Sequence, residues 1–135
     1  MKNKFLTGLI LMAAVLTIAS LAFAHHGSNA YSDKMLALKE ATVTKFVWAN
    51  PHCIIQFDVK DDHGSVAHWA AEAGSPAALG LLGWTKTSAQ PGDVITVDLY
   101  PAKSGNPVGR LHGIMLSDGT KLMDSQQGGS KFDQP

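Results

Sequence analysis

Two adjacent histidines, His25 and His26, stand directly behind Ala22-Phe23-Ala24, and that position decides what chemistry they can do. If the chain is cut after Ala24, His25 carries a free α-amine as well as an imidazole. An α-amine ordinarily titrates near about 8 and an imidazole near about 6.5, so both offer a lone pair near neutrality. Together they close one chelate ring, the arrangement of histidine-brace copper sites. His26 in second place offers a different chelate: amine, deprotonated amide nitrogen and imidazole. Either set places nitrogen donors in a plane, which suits Cu(II) better than Zn(II). A brace needs a further protein ligand, and His52 is the first choice, with His112 and His68 as the weaker ones. The competing reading is that adjacent histidines are polar residues on a flexible arm, where any exposed pair takes up copper or nickel weakly.

Asn50-Pro51-His52 is the second feature. Proline fixes φ and cannot donate to a strand ladder, so Asn50-Pro51 reads as a corner between strands. The corner is structural on that reading, with the Asn side chain bonding to backbone. His52 lies off the predicted core face, at a rim where loops carry function on a rigid scaffold. Cys53 beside it invites a Cys-His dyad, but strand neighbours point to opposite faces, so the two cannot pair. Cys53 is read instead as a small buried hydrophobe. His68 and Glu72 share a strand face, yet four residues span roughly 13 Å along a strand. His112 is expected to be exposed or to make a cross-strand contact, and His63 to face solvent in a turn. Trp48, Trp69 and Trp84 are read as packing residues.

These groups need an address and a scaffold. Met1-Lys2-Asn3-Lys4, an apolar run from Phe5 to Leu21 and the A-x-A of Ala22-Phe23-Ala24 form the three parts of a cleavable secretory signal. The rival is a retained anchor, since the apolar run almost reaches the about 20 residues that span a bilayer. The A-x-A site and the polar residues after it favour cleavage. The expected address is periplasmic or secreted, with no stable membrane anchor after cleavage. Removing 24 of 135 residues leaves 111, a length suited to one small domain. Losing Lys2 and Lys4 leaves nine basic residues against 11 acidic, a net charge of −2. A nucleic-acid binder would need a basic face, so that class is excluded. With one cysteine there is no internal disulfide, and the core must hold the domain.

The scaffold reads as β-structure. A first strand from Leu36 to Trp48 alternates loosely enough to predict a bulge or bend. A second, from Ile54 to Lys60, puts Cys53, Ile55, Phe57 and Val59 on one face. Asp61-Asp62-His63-Gly64 turns the chain into a third strand from Val66 to Ala73. Ser75-Pro76 predicts an N-cap and first helical residue, with a short helix from Ala77 to Leu82 that stops at Gly83. An alternating strand follows Pro91-Gly92-Asp93, and a last hairpin turns on Asp118-Gly119. Few helices separate the strands, so the expected fold is all-β with one short helix: a small antiparallel β-barrel, OB-like. The expected division is a signal peptide over 1–24, an extended arm over 25–35, the barrel over 36–124 and a flexible tail over 125–135.

Several of these strings together resemble a family of small exported bacterial proteins known only as a domain of unknown function. The resemblance rests on Ala24-His25-His26-Gly27, Trp48-x-Asn50-Pro51-His52, Trp69 and Glu72, Gly74-Ser75-Pro76, Leu79, Gly83-Trp84, Pro91-Gly92-Asp93, Pro101-Ala102 and Asp118-Gly119. It runs to about Leu122, and one departure is Ala41, where many relatives are expected to carry glycine. The family brings no activity with it. The residues point to an exported binding protein, with Cu(II) as its ligand through the mature N-terminal histidine. The alternative is an interaction or small-ligand module without a metal role, whose partner is another exported protein or a small molecule. An enzyme is not expected; a histidine-brace oxygenase is the weakest of the three readings, because no catalytic constellation accompanies the histidines.

Overall fold

The computed structural model describes residues 30–124. The predicted signal segment, His25, His26 and the predicted tail lie outside the described residues. The elements are β1 (Leu36–Val47), β2 (Ile54–Lys60), β3 (Val66–Glu72), α1 (Pro76–Leu81), β4 (Val94–Pro101), β5 (Val108–Met115) and β6 (Lys121–Met123).

β1 is long and bent. Its pairing slips between Leu38 and Ala41 and again between Val43 and Lys45, so its first half pairs with β4 and its second half with β2. Glu40 takes a left-handed φ of 55° just before Ala41. The bend expected from the loose alternation is therefore present, beside Ala41. Curving one strand across two partners is what lets a small sheet coil into a barrel.

The sheet runs β3-β2-β1-β4-β5-β6, and β3 also pairs with β5, which closes a ring of five strands. The expected small all-β barrel with one short helix is present, and within it one pairing is parallel rather than antiparallel. Ala70–Glu72 of β3 pair with Val108–Arg110 of β5 in parallel. The reason is parity: strands around a closed ring can alternate throughout only when their number is even. With five, one seam must run parallel. The result is a mixed barrel with the OB order of strands and the helix between β3 and β4.

The barrel is filled by apolar side chains. Val43, Cys53, Ile55, Phe57, Ala71, Val97, Leu99, Leu111 and Ile114 are all buried. Trp69 stacks near-parallel to Phe57, with ring centroids 6.5 Å apart. Below them α1 acts as a plug. Ser75 Oγ accepts from the Ala78 N–H at 3.3 Å, Pro76 opens the helix, and Leu79 is wholly buried while Leu82 packs partly. Trp84 is buried, and its indole N–H donates to the Met123 carbonyl at 2.9 Å. A buried Trp with that bond made leaves no polar group unsatisfied. Gly119 sits at φ 86° in the predicted last turn, where a Cβ is disfavoured.

Gly109 lies on the parallel seam with a backbone too close for a side chain. A Cβ there would sit 2.7 Å from Leu99 Cδ1 and 2.9 Å from the Tyr100 carbonyl oxygen. Gly109→Ala should lower stability by about 1–3 kcal/mol, through overpacking against backbone. Gly80→Ala, in open space on α1, should be neutral or stabilising by up to about 1 kcal/mol. Urea midpoints at unchanged m-value measure both.

Candidate functional site: a polar cluster at the parallel seam

β5 divides its second edge between two partners. Val108–Arg110 pair with β3, and Gly113–Met115 pair with β6. Between them β5 carries a bulge against β4: Asp98 opposes Gly113 and Leu99 opposes Leu111, so His112 is the extra residue. That insertion shifts the alternation, which is why Leu111 and Ile114 can both face inward. Of the two expectations for His112, exposure or a cross-strand contact, the structure shows the second. His112 is 4% exposed, its ring meets Tyr100 edge-on at 5.8 Å, and its carbonyl accepts the Asp124 N–H at 2.8 Å. Its Nε2 is buried with no hydrogen-bond partner among the described residues.

The same seam sets Glu72 opposite Arg110, and Arg110 opposite Tyr100. The guanidinium lies over the Tyr100 ring, with Cζ 5.0 Å from its centroid, a cation–π contact. His52 enters from the corner after Asn50 and Pro51. Backbone bonds from Cys53 N–H to the Gly74 carbonyl and from Ala73 N–H to the Cys53 carbonyl extend the β2–β3 ladder past the strands. They bring His52 against the end of β3, where Nδ1 lies 3.2 Å from the Ala73 carbonyl oxygen and 3.2 Å from Glu72 Oε1. Tyr31 reaches the same carboxylate, donating to Glu72 Oε2 at 3.4 Å. It is held there by a bridge to Ala102, beside a bond from Ser32 N–H to the Pro101 carbonyl at 2.8 Å. Burial, then the neighbouring Glu72 charge, push the Tyr31 phenol upward.

Asp124 completes the group. Its Oδ1 accepts the Gly74 N–H at 2.7 Å. Burial raises its carboxyl above the ordinary 3.8, and the Gly74 N–H and the charges of Arg110, His112 and His52 pull it partly back. Arg110, His112 and His52 thus all bear electrostatically on one half-buried carboxyl.

Of the histidines singled out in the sequence, His52 and His112 come to this cluster and His68 does not. His68 Nδ1 pairs with Asp58 Oδ1 at 2.6 Å on a largely exposed outer face, further along β3. His25 and His26 lie outside the described residues. Among the described residues no three His, Cys, Asp or Glu side chains converge closely enough to hold a metal ion. Cys53 is fully buried and burial pushes its thiol upward, which disfavours the nucleophilic thiolate. Separately, an open groove of about 520 Å³ runs over the outer face of β2 and β3, lined by Thr44, Gln56, Asp58, His68, Ala70 and Pro107 among others.

Tyr31, Tyr100, Arg110 and Asp124 escape a search for metal or nucleophile spacings. One signal does mark three of them: the chain has a single arginine, Arg110, and two tyrosines, Tyr31 and Tyr100. A sequence that otherwise solvates itself with lysine has placed its one guanidinium and both phenols together.

Because the Asp124 carboxyl is raised in the folded state, the native protein binds that proton more readily than the unfolded chain. Its penalty is absent below 3.8, grows as pH rises through the raised value and is full above it. Asp124→Asn keeps an acceptor for the Gly74 N–H and removes the penalty. It should match wild type at low pH and gain stability above the window, by under about 1 kcal/mol for a half-exposed group. Thermal melts across that range measure the difference; a loss at neutral pH would refute it.

No curated protein and no solved structure is significantly similar to the chain. A family model described as a family of unknown function (DUF6152) matches residues 13–111. That span covers most of the sequence, including the corner before His52, both sides of the parallel seam and Arg110, so the chain belongs to the DUF6152 family.

Proposed function

We propose that the mature chain is an exported Cu(II)-binding protein whose ligands are the α-amine and imidazole of His25, together with His26 and His52. One observation in the described barrel carries the reading. Both neighbours of His52 Nδ1, the Ala73 carbonyl oxygen and Glu72 Oε1, are acceptors. Nδ1 must then carry the proton, and in the neutral ring Nε2 carries the lone pair. Metal-ligating histidines are held in this way, with one ring nitrogen donating to a carboxylate or carbonyl and the other left for the metal. The His52 side chain is 54% exposed, so it is open to a ligand. His68 on Asp58 has the same pattern but stands apart from the other imidazoles of the cluster. His112 has an unpartnered Nε2 in a ring closed from solvent, which makes it the lesser donor. The proposed role is binding, because no catalytic constellation accompanies the histidines in the sequence.

A second reading is supported by the groove over β2 and β3, the face on which OB barrels take ligands. There the protein would be a small-ligand or interaction module and the terminal histidines incidental.

The test compares protein beginning at His25 with a form carrying one residue before it, each titrated with Cu(II) and followed by d–d absorption and EPR. The free terminus should bind at least about tenfold more tightly, a difference of about 1.4 kcal/mol. His52→Ala should weaken binding and change the EPR hyperfine pattern. Equal micromolar binding by both termini would sink the copper reading, and a ligand bound equally by the blocked form would favour the groove.

A further inference from the structure

Glu72 uses its two oxygens on different partners. Oε1 faces His52 Nδ1 at 3.2 Å and Oε2 accepts from the Tyr31 hydroxyl at 3.4 Å. The residue opposite it across the seam is Arg110, the obvious competitor for a carboxylate. Yet the guanidinium lies over Tyr100, and among the described residues the ion-pair partner of Glu72 is His52. Tyr31 in turn is fixed by the bridge to Ala102 and the neighbouring Ser32–Pro101 bond. The segment entering the barrel is thus tied to the imidazole at the rim through a single side chain.

We infer that Glu72 is a positioning residue, which holds the His52 ring with its Nε2 lone pair available and is itself oriented by the Tyr31 hydroxyl. Two features separate this from a surface ion pair of no consequence. The first is that a carbonyl and a carboxylate converge on the same nitrogen, so each adds to the preference for the Nδ1–H form and neither suffices alone. The second is that the carboxylate is shared with an anchored phenol, so losing one hydroxyl should be felt at an imidazole it does not touch. The raised Tyr31 phenol agrees with a neutral donor facing a carboxylate. The contacts are long for strong hydrogen bonds, and the coupling should be correspondingly modest. The consequence for metal uptake rests on the copper reading above; the tautomer does not.

The experiment therefore has two arms. In isotope-labelled, metal-free protein at a pH where the ring is neutral, the nitrogen shifts of His52 report which nitrogen holds the proton. Wild type should show the Nδ1–H form. Glu72→Ala should give a mixture with the Nε2–H form, while Glu72→Gln, which keeps an acceptor, should largely restore wild type. Tyr31→Phe should fall between wild type and Glu72→Ala. In the second arm, Cu(II) affinity of the form beginning at His25 should drop about 10–100-fold in Glu72→Ala. It should drop about two- to fivefold in Tyr31→Phe, the size of one modest hydrogen bond. Near-UV circular dichroism of the tryptophans confirms that each variant is folded, with Glu72→Gln as the nearly isosteric comparison. An Nε2–H ring in wild type, or a Glu72→Ala protein with unchanged tautomer, would overturn the inference. Absent copper binding by wild type would overturn the proposed function alone, and the tautomer would still decide the role of Glu72.

Discussion

A closed ring of five strands cannot alternate in direction all the way round, and the seam that breaks the alternation organises this protein. It is short, three residue pairs between β3 and β5, but it sets what lies outside it. Pairing Glu72 with Arg110 puts a carboxylate and a guanidinium on neighbouring strands. Ending the pairing at Arg110 leaves the rest of that β5 edge to β6, whose last turn brings Asp124 back to the carbonyl of His112. The bulge at His112 lies in the gap between the two partners. Remove the seam and Glu72 has no reason to lie near Arg110, His112 and Asp124.

Much of the barrel is legible in the sequence because its elements are punctuated by residues with strict backbone demands. Ser75-Pro76 and Gly83 bracket the helix, Asp118-Gly119 marks the last hairpin, and the two-residue period places Cys53, Ile55 and Phe57 inside. The parallel seam is not legible, since no local pattern records which distant strand edge a strand will meet. The bulge in β5 is equally hidden. Period-two reasoning assumes an unbroken register, so it leaves His112 between an exposed and a cross-strand place. Only the inserted residue settles it as buried against Tyr100 of β4. The bend in β1 was readable because its loose alternation spreads over a long strand, whereas the β5 bulge occupies one residue within a run of apolar neighbours.

The site divides along the same line. His52 stands out because a proline corner fixes where it emerges. What orients it, Glu72 and the Ala73 carbonyl, depends on how the β2–β3 ladder continues past the strands, and no spacing shows that. Tyr31 lies in a polar stretch without period, and its anchoring depends on Ala102, 71 positions away in the sequence. Asp124 is one acidic residue among 11 until the fold half-buries it within electrostatic reach of Arg110, His112 and His52. Rarity is the one clue that needed no fold: a lone arginine and the only two tyrosines meet in one cluster.

The cluster also has an energetic side that bears on how the protein is built. A buried donor or acceptor without a partner costs about 1–3 kcal/mol, and among the described residues His112 Nε2 has none. A small domain has a total stability of about 5–15 kcal/mol, so that is a sizeable fraction to leave standing, the more so without a disulfide to supplement the core. The barrel interior offers no relief, because the side chains that fill it are apolar and closely packed. An apolar side chain in the bulge would remove the cost at His112 while leaving the strand pairing intact. The histidine there instead keeps its edge-on contact with the Tyr100 ring, beside Arg110.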